Sequence, residues 1–158
     1  MNKIIIKILI FFLILGVNSC TYEPIFSEKN YNFEINQIIF SGEKEINKII
    51  ENKFKLIRNK QNLKVNKYNL EIFSTKERKE ISKDSKGDPL KFEMIILVEF
   101  KVTQSGNLIL QKEIKKNNIY NNDNDLFQLE RSERNIIQNI SSNISDIIFS
   151  SIINLNDN

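Results

Sequence analysis

The 158-residue chain has no histidine, no tryptophan and no alanine, only four glycines and two prolines, and a single cysteine, Cys20. Without histidine, the Ser-His-Asp and Cys-His triads and the His-containing zinc motifs are excluded. Four scattered glycines cannot build a phosphate-cradling loop. A lone cysteine cannot form an internal disulfide, so the fold must be held by an apolar core. A strong excess of one sign of charge is missing as well. Lysine and arginine total 23 against 20 aspartates and glutamates. A nucleic-acid binder is normally more basic and more polarised. No nucleic-acid partner, metal, cofactor or catalytic constellation is therefore expected, and the chain reads as a non-enzyme.

Long apolar runs are also scarce. The longest unbroken one, Ile8–Leu15, lies within an apolar segment from Ile4 to Val17 that carries Lys3 and Lys7 at its front. A membrane-spanning helix needs about 20 apolar residues, and this segment has the size of a signal-peptide core. The following residues, Val17-Asn18-Ser19-Cys20, resemble a bacterial lipobox, with an aliphatic residue three places before the cysteine and a small one immediately before it. Asn18 departs from the small or hydroxyl residue usual there. The resemblance implies cleavage before Cys20 and acyl chains on its sulfur and new amino group. Each buried methylene adds about 0.8 kcal/mol, so two or more chains make a durable anchor. An ordinary secretory signal followed by an incidental cysteine, or an uncleaved anchor, are the competing readings. An unpaired free cysteine would be unusual in an oxidising compartment, which favours lipidation. With Lys3 and Lys7 removed, 21 basic and 20 acidic side chains remain.

What is abundant is isoleucine, asparagine and lysine, and the apolar residues among them are patterned. Residues 20–32 read as an extended tether, because Pro24 keeps Glu23 out of the helical region. Tyr22, Ile25, Phe26 and Tyr31 give it apolar groups able to dock. Phe33 to Phe40 reads as a strand ended by Ser41-Gly42. Ile46, Ile49, Ile50, Phe54 and Ile57 mark one face of a helix from about Glu43 to Arg58. Its acidic start, at Glu43 and Glu45, and its basic end, at Arg58 and Lys60, suit the helix dipole.

Tyr68, Leu70 and Ile72 alternate as a second strand, and a charged stretch, Lys76–Lys86, follows before the Gly87-Asp88-Pro89 turn signal. Phe92, Met94, Ile96, Val98, Phe100 and Val102 alternate as a third strand. Ser105-Gly106 marks a hairpin turn into a fourth strand through Leu108, Leu110, Lys112 and Ile114. Residues 117–124 are an asparagine-rich low-complexity stretch, and the C-terminal tip, Asn154–Asn158, is polar. Between them, a helix is predicted from about Asp125 to Ile153, capped by Asp123 or Asn124. Its stripe is Leu129, Ile136, Ile137, Ile140, Ile144, Ile147, Ile148 and Ile152. The order β-α-β-β-β-α gives an α+β fold: a four-stranded, mostly antiparallel sheet covered on one face by two helices.

The charged stretch is the one candidate for binding chemistry. Lys76, Arg78, Lys79, Lys83 and Lys86 stand at the tip of the expected hairpin between strands two and three, among Glu77, Glu80 and Asp84. A solvated mixed-charge hairpin is the plain reading. A contact for an anion or a lipid phosphate is the functional one.

The opening Cys20-Thr21-Tyr22-Glu23-Pro24-Ile25-Phe26 resembles the start of mature members of the LPS-assembly lipoprotein family, LptE, with Thr21 in place of a frequent glycine. The order of elements is similar too. So are Tyr68-x-Leu70-x-Ile72, the Gly87 turn, the Phe92–Val102 strand and the Tyr120…Phe127…Glu130 approach to the last helix. The alanine-rich stretches of that family's last helix are absent.

The resemblance covers nearly the whole chain after Cys20. It implies a lipoprotein signal peptide over residues 1–19, a lipidated tether over 20–32 and a single LptE-like α+β domain over 33–158. It further implies an outer-membrane, periplasm-facing protein that plugs and helps assemble an LptD-type β-barrel and contacts lipopolysaccharide. Catalysis is not implied, and the only attached groups would be acyl chains on Cys20. The family places basic contacts around the hairpin, which points to Lys76, Arg78, Lys79 and Lys83 for lipopolysaccharide binding. An auxiliary, periplasm-facing lipoprotein of an ABC-type lipid transporter is the alternative, and a small envelope enzyme or adhesin is a third class. Thr21 is not the aspartate that retains many lipoproteins at the inner membrane, which favours the outer one.

Overall fold

In a computed structural model, residues 33–57 and 66–156 are described. Cys20, the signal segment and the tether lie outside these residues, as do Arg58 and Lys60. The elements run β1 (Phe33–Gly42), α1 (Lys44–Ile57), β2 (Asn66–Lys83), β3 (Pro89–Gln104), β4 (Asn107–Asn121) and α2 (Leu126–Asn156). The four strands form one sheet in the order β1-β2-β3-β4. The β1–β2 pair is parallel, bridged by α1, while β2–β3 and β3–β4 are antiparallel. The α+β architecture, the element order and the two-helix cover agree with the sequence pattern.

Alternation sets the two faces of the sheet. Tyr68, Leu70 and Ile72 of β2 and Phe92, Met94, Ile96, Val98, Phe100 and Val102 of β3 are buried beneath the helices. Ile46, Ile50 and Phe54 of α1 and Ile137, Ile140, Ile144, Ile148 and Ile152 of α2 meet them in one core. Burying each such side chain is worth roughly 1.5–3 kcal/mol, so the layered core carries the fold without covalent staples. Phe149 sits between the layers, its ring centroid 5.9 Å from that of Phe33 and 6.2 Å from that of Phe54.

The β1–α1 junction is locked by polar groups. Gly42 has φ +88°, and any Cβ there would collide with the carbonyl oxygen of Ser74. Buried Asn47 donates to the Ser41 carbonyl at 3.0 Å and accepts from the Ser74 hydroxyl at 2.8 Å. The helices are tied together by Lys53, which contacts Asp146 at 2.6 Å and donates to both the carbonyl and the hydroxyl of Ser142.

Several boundaries differ from expectation. The Lys76–Lys86 stretch does not open into a loop after Ile72: β2 continues to Lys83, in register with β3 from Asn69↔Thr103 to Glu80↔Phe92. The turn itself is short, with Asp84 Oδ1 accepting from the backbone N–H groups of Lys86 and Asp88. The asparagine-rich stretch is ordered pairing as far as Asn121, because the β4 backbone satisfies itself on β3 whatever the side chains are. The cap of α2 is Asp125, whose carboxylate accepts from the N–H groups of Phe127 and Gln128, while Asp123 accepts from Asp125 N–H. The helix also runs past Ile153 to Asn156.

Candidate functional site

Because β2 stays extended, the four candidate cations are distributed by strand alternation rather than gathered at a tip. Lys76 and Arg78 follow Ile72 and Ser74 on the face that carries the helices, and Lys79 points to the opposite face. Each has a carboxylate partner. Lys76 lies 3.4 Å from Glu45 of α1, Arg78 3.1 Å from Glu133 of α2, Lys79 3.3 Å from Glu77, and Lys83 3.0 Å from Glu80. Such exposed pairs contribute about 0–1 kcal/mol each, so they leave the cations accessible to a competing anion.

Arg78 is set apart by its surroundings. Its guanidinium carbon stands 3.7 Å from the centroid of the Phe92 ring, the geometry of a cation–π contact. Phe92 in turn packs against Tyr120 on β4, with ring centroids 5.7 Å apart. The Tyr120 hydroxyl donates to Glu133 Oε1 at 2.6 Å, and Arg78 Nε lies 3.1 Å from that same oxygen. A hydroxyl donor from β4 and a guanidinium from β2, the latter as an ion pair, therefore meet at one oxygen supplied by the helix. Burial, with the Glu133 carboxylate as acceptor, pushes the Tyr120 hydroxyl up to about 12, while Arg78 opposes the shift. Tyr120 is thus a neutral hydrogen donor throughout the physiological range. The Arg78 side chain remains 43% exposed and that of Glu133 22%.

Sequence reasoning singled out Arg78 but neither Phe92 as its platform nor Glu133 as its partner. The strand register brings Phe92 beside it, and a helix 55 positions further along the chain supplies Glu133. A lone arginine and a lone glutamate at that separation carry no pattern.

Beyond this cluster, the end of the sheet that holds the β2–β3 turn exposes Ile81, Leu90, Ile119, Leu126 and Phe127. It lies opposite the end at which Phe33 enters, since β1 and β2 run in parallel. Among the described residues, no group of histidine, cysteine, aspartate and glutamate side chains could hold a metal ion, and no helix is long and apolar enough to cross a membrane.

Comparison with known proteins finds the overall fold among solved lipoprotein structures. Rare lipoprotein B from Shewanella oneidensis superposes with a TM-score of 0.55 at 20% identity, over 76% of this chain and 98% of that one. Lipoprotein B from Nitrosomonas europaea gives 0.54 at 14% identity, over 77% and 84%. A lipoprotein from Caulobacter crescentus gives 0.54 at 9% identity, over 75% and 88%. No family model and no curated protein sequence matches the chain. At these identities the likeness is one of fold.

Proposed function

We propose that the chain is an outer-membrane lipoprotein, anchored through Cys20, that plugs and helps assemble an LptD-type β-barrel and assists insertion of lipopolysaccharide into the outer leaflet. The observation that carries this reading is a conjunction. A lipobox-like cysteine precedes a domain whose fold is shared, over about three quarters of the chain, with lipoproteins from three bacteria. The LptE-like opening from Cys20 to Phe26 gives the likeness its direction. A two-layer domain whose second sheet face is covered by no helix among the described residues, and bears both signs of charge, suits the polar lumen of a barrel. Phosphate-bearing ligand would meet Lys76, Arg78, Lys79 and Lys83 along the β2–β3 hairpin, at the end of the sheet remote from Phe33.

Depletion in the native host tests the reading. An LptD-type barrel should lose its mature, folded form when this chain is withdrawn, and lipopolysaccharide should fail to reach the cell surface. Intact barrel and normal surface lipopolysaccharide after depletion would reject it. The anchor is tested separately by mass. Mature protein should lack residues 1–19 and carry the added mass of acyl chains. An unmodified Cys20 would sink the lipid anchor.

A further inference from the structure

The contacts of Glu133 do more than attach a helix. Tyr120 Oη donates to Oε1 at 2.6 Å, Arg78 Nε lies 3.1 Å from the same oxygen as an ion pair, and the guanidinium carbon stands 3.7 Å from the centroid of the Phe92 ring. This is the construction of an anion seat: a guanidinium set over an aromatic face, and a neutral hydroxyl donor aimed at the same oxygen. The seat is already filled, by a carboxylate belonging to the protein. Its occupant rides on the most weakly held part of α2. From Leu126 to Asn135, Leu129 alone is buried, and Glu133 is half-buried. The first turns of the helix thus depend on Leu129, the Asp125 cap and this one carboxylate for their place on the sheet.

We infer that Glu133 is an internal stand-in for a ligand phosphate, an autoinhibitory contact at Arg78 and Tyr120 that a phosphate group must displace in order to bind. A phosphate oxygen placed where Oε1 now sits would take over the Tyr120 hydroxyl and the ion pair with Arg78, and a second phosphate oxygen could accept from the guanidinium, which a single carboxylate oxygen does not. Displacement frees Glu133 and loosens Leu126–Glu133, so occupancy of the seat is coupled to the docking of the α2 N-terminus. The other three candidate cations lack this arrangement. Lys79 and Lys83 pair with acids of their own strand, and Lys76 pairs with exposed Glu45. The inference deepens the proposed phosphate contact on the hairpin and rests on it. It is independent of any barrel, so failure here and failure of the barrel depletion test are read separately.

The test is a titration of the full chain in neutral detergent micelles, following the Arg78 Nε–Hε resonance by NMR, with inorganic pyrophosphate as the probe. Glu133→Gln, which keeps length and shape but removes the competing charge, should bind pyrophosphate about tenfold more tightly than the natural protein, a gain of roughly 1.4 kcal/mol. Arg78→Gln, followed through the Tyr120 backbone amide resonance in place of the missing guanidinium signal, should lose the response. A second arm replaces pyrophosphate with lipopolysaccharide in the micelle. A tenfold gain in that arm alone assigns the seat to a lipid headgroup, and a gain in both assigns it to the phosphate group itself. Equal affinity of Glu133→Gln and the natural protein in both arms would overturn the inference. Should the variant fold poorly, amide exchange in the natural protein decides. Saturating ligand should accelerate exchange over residues 126–133, and unchanged or slower exchange there would equally overturn it.

Discussion

Lys53 of α1 and Asp146 of α2 are paired across the helix layer at 2.6 Å, and the same ammonium also donates to the Ser142 carbonyl and hydroxyl. This cluster is a polar clasp between the two helices. Both side chains are only partly exposed, so screening by salt is incomplete. Removing Lys53 as Lys53→Met should cost about 1 kcal/mol, and a double-mutant cycle with Asp146→Asn should give a coupling of roughly 0.5–1 kcal/mol. Urea denaturation of the four proteins measures it. A coupling near zero would mean that the clasp is incidental.

Gly42→Ala should be among the most damaging single-methyl additions in the protein. The residue combines a φ of +88° with a β2 backbone carbonyl directly in the path of a Cβ. Gly106→Ala shares the positive φ but meets nothing within 4 Å, so it should cost only about 1 kcal/mol. Gly42→Ala should cost at least about 2 kcal/mol, because backbone strain and a clash act together. Thermal or urea unfolding compares the two, and equal losses would contradict the junction as described.

Tyr120 gives the fold an alkaline signature. Its hydroxyl titrates at 10.0 when unperturbed and at about 12 here. The folded state therefore holds the proton more tightly than the unfolded chain does. The resulting stability is fully present below about pH 10 and disappears as pH rises from 10 towards 12. The stability difference between the natural protein and Tyr120→Phe should shrink across that window by on the order of 2 kcal/mol. Unfolding free energies at pH 9 and pH 11.5 measure this, and a constant difference would contradict the burial of the Tyr120 hydroxyl and its bond to Glu133.

Changing Lys76, Arg78, Lys79 and Lys83 together to serine should weaken lipopolysaccharide binding at least about tenfold, since each basic side chain near an anionic headgroup is worth roughly 1 kcal/mol. The fold should survive, because Thr75 to Glu80 are all exposed. Binding to immobilised lipopolysaccharide at low and moderate salt, with circular dichroism as the fold control, reads the effect. Unchanged binding would remove these residues from the site.

The parts of the fold legible in the sequence are those where burial imposes a period. Phe92 to Val102 alternates because one side of β3 is wholly covered, and the stripes of α1 and α2 recur because each helix buries one face. The pattern stops where the cover stops. Beyond Ser74, β2 has both sides open, so no apolar alternation is needed, and the strand persists because its backbone pairs with β3. The same holds for Lys115 to Ile119 of β4, which is why an asparagine-rich strand read as low complexity. The seat around Arg78 was half legible. A basic cluster marked the hairpin, but which cation is oriented, and by what, depends on Phe92, Tyr120 and Glu133. Those residues come together only through register and helix packing.

The central claim, a lipoprotein working inside an outer-membrane barrel, is tested most directly by capture. C-terminally tagged protein would be withdrawn from isolated membranes in mild detergent and its partners identified by mass spectrometry. The account predicts a large outer-membrane β-barrel in stoichiometric amount. An ABC transporter in its place, or no partner at all, would contradict it and leave only an α+β domain with a candidate phosphate seat.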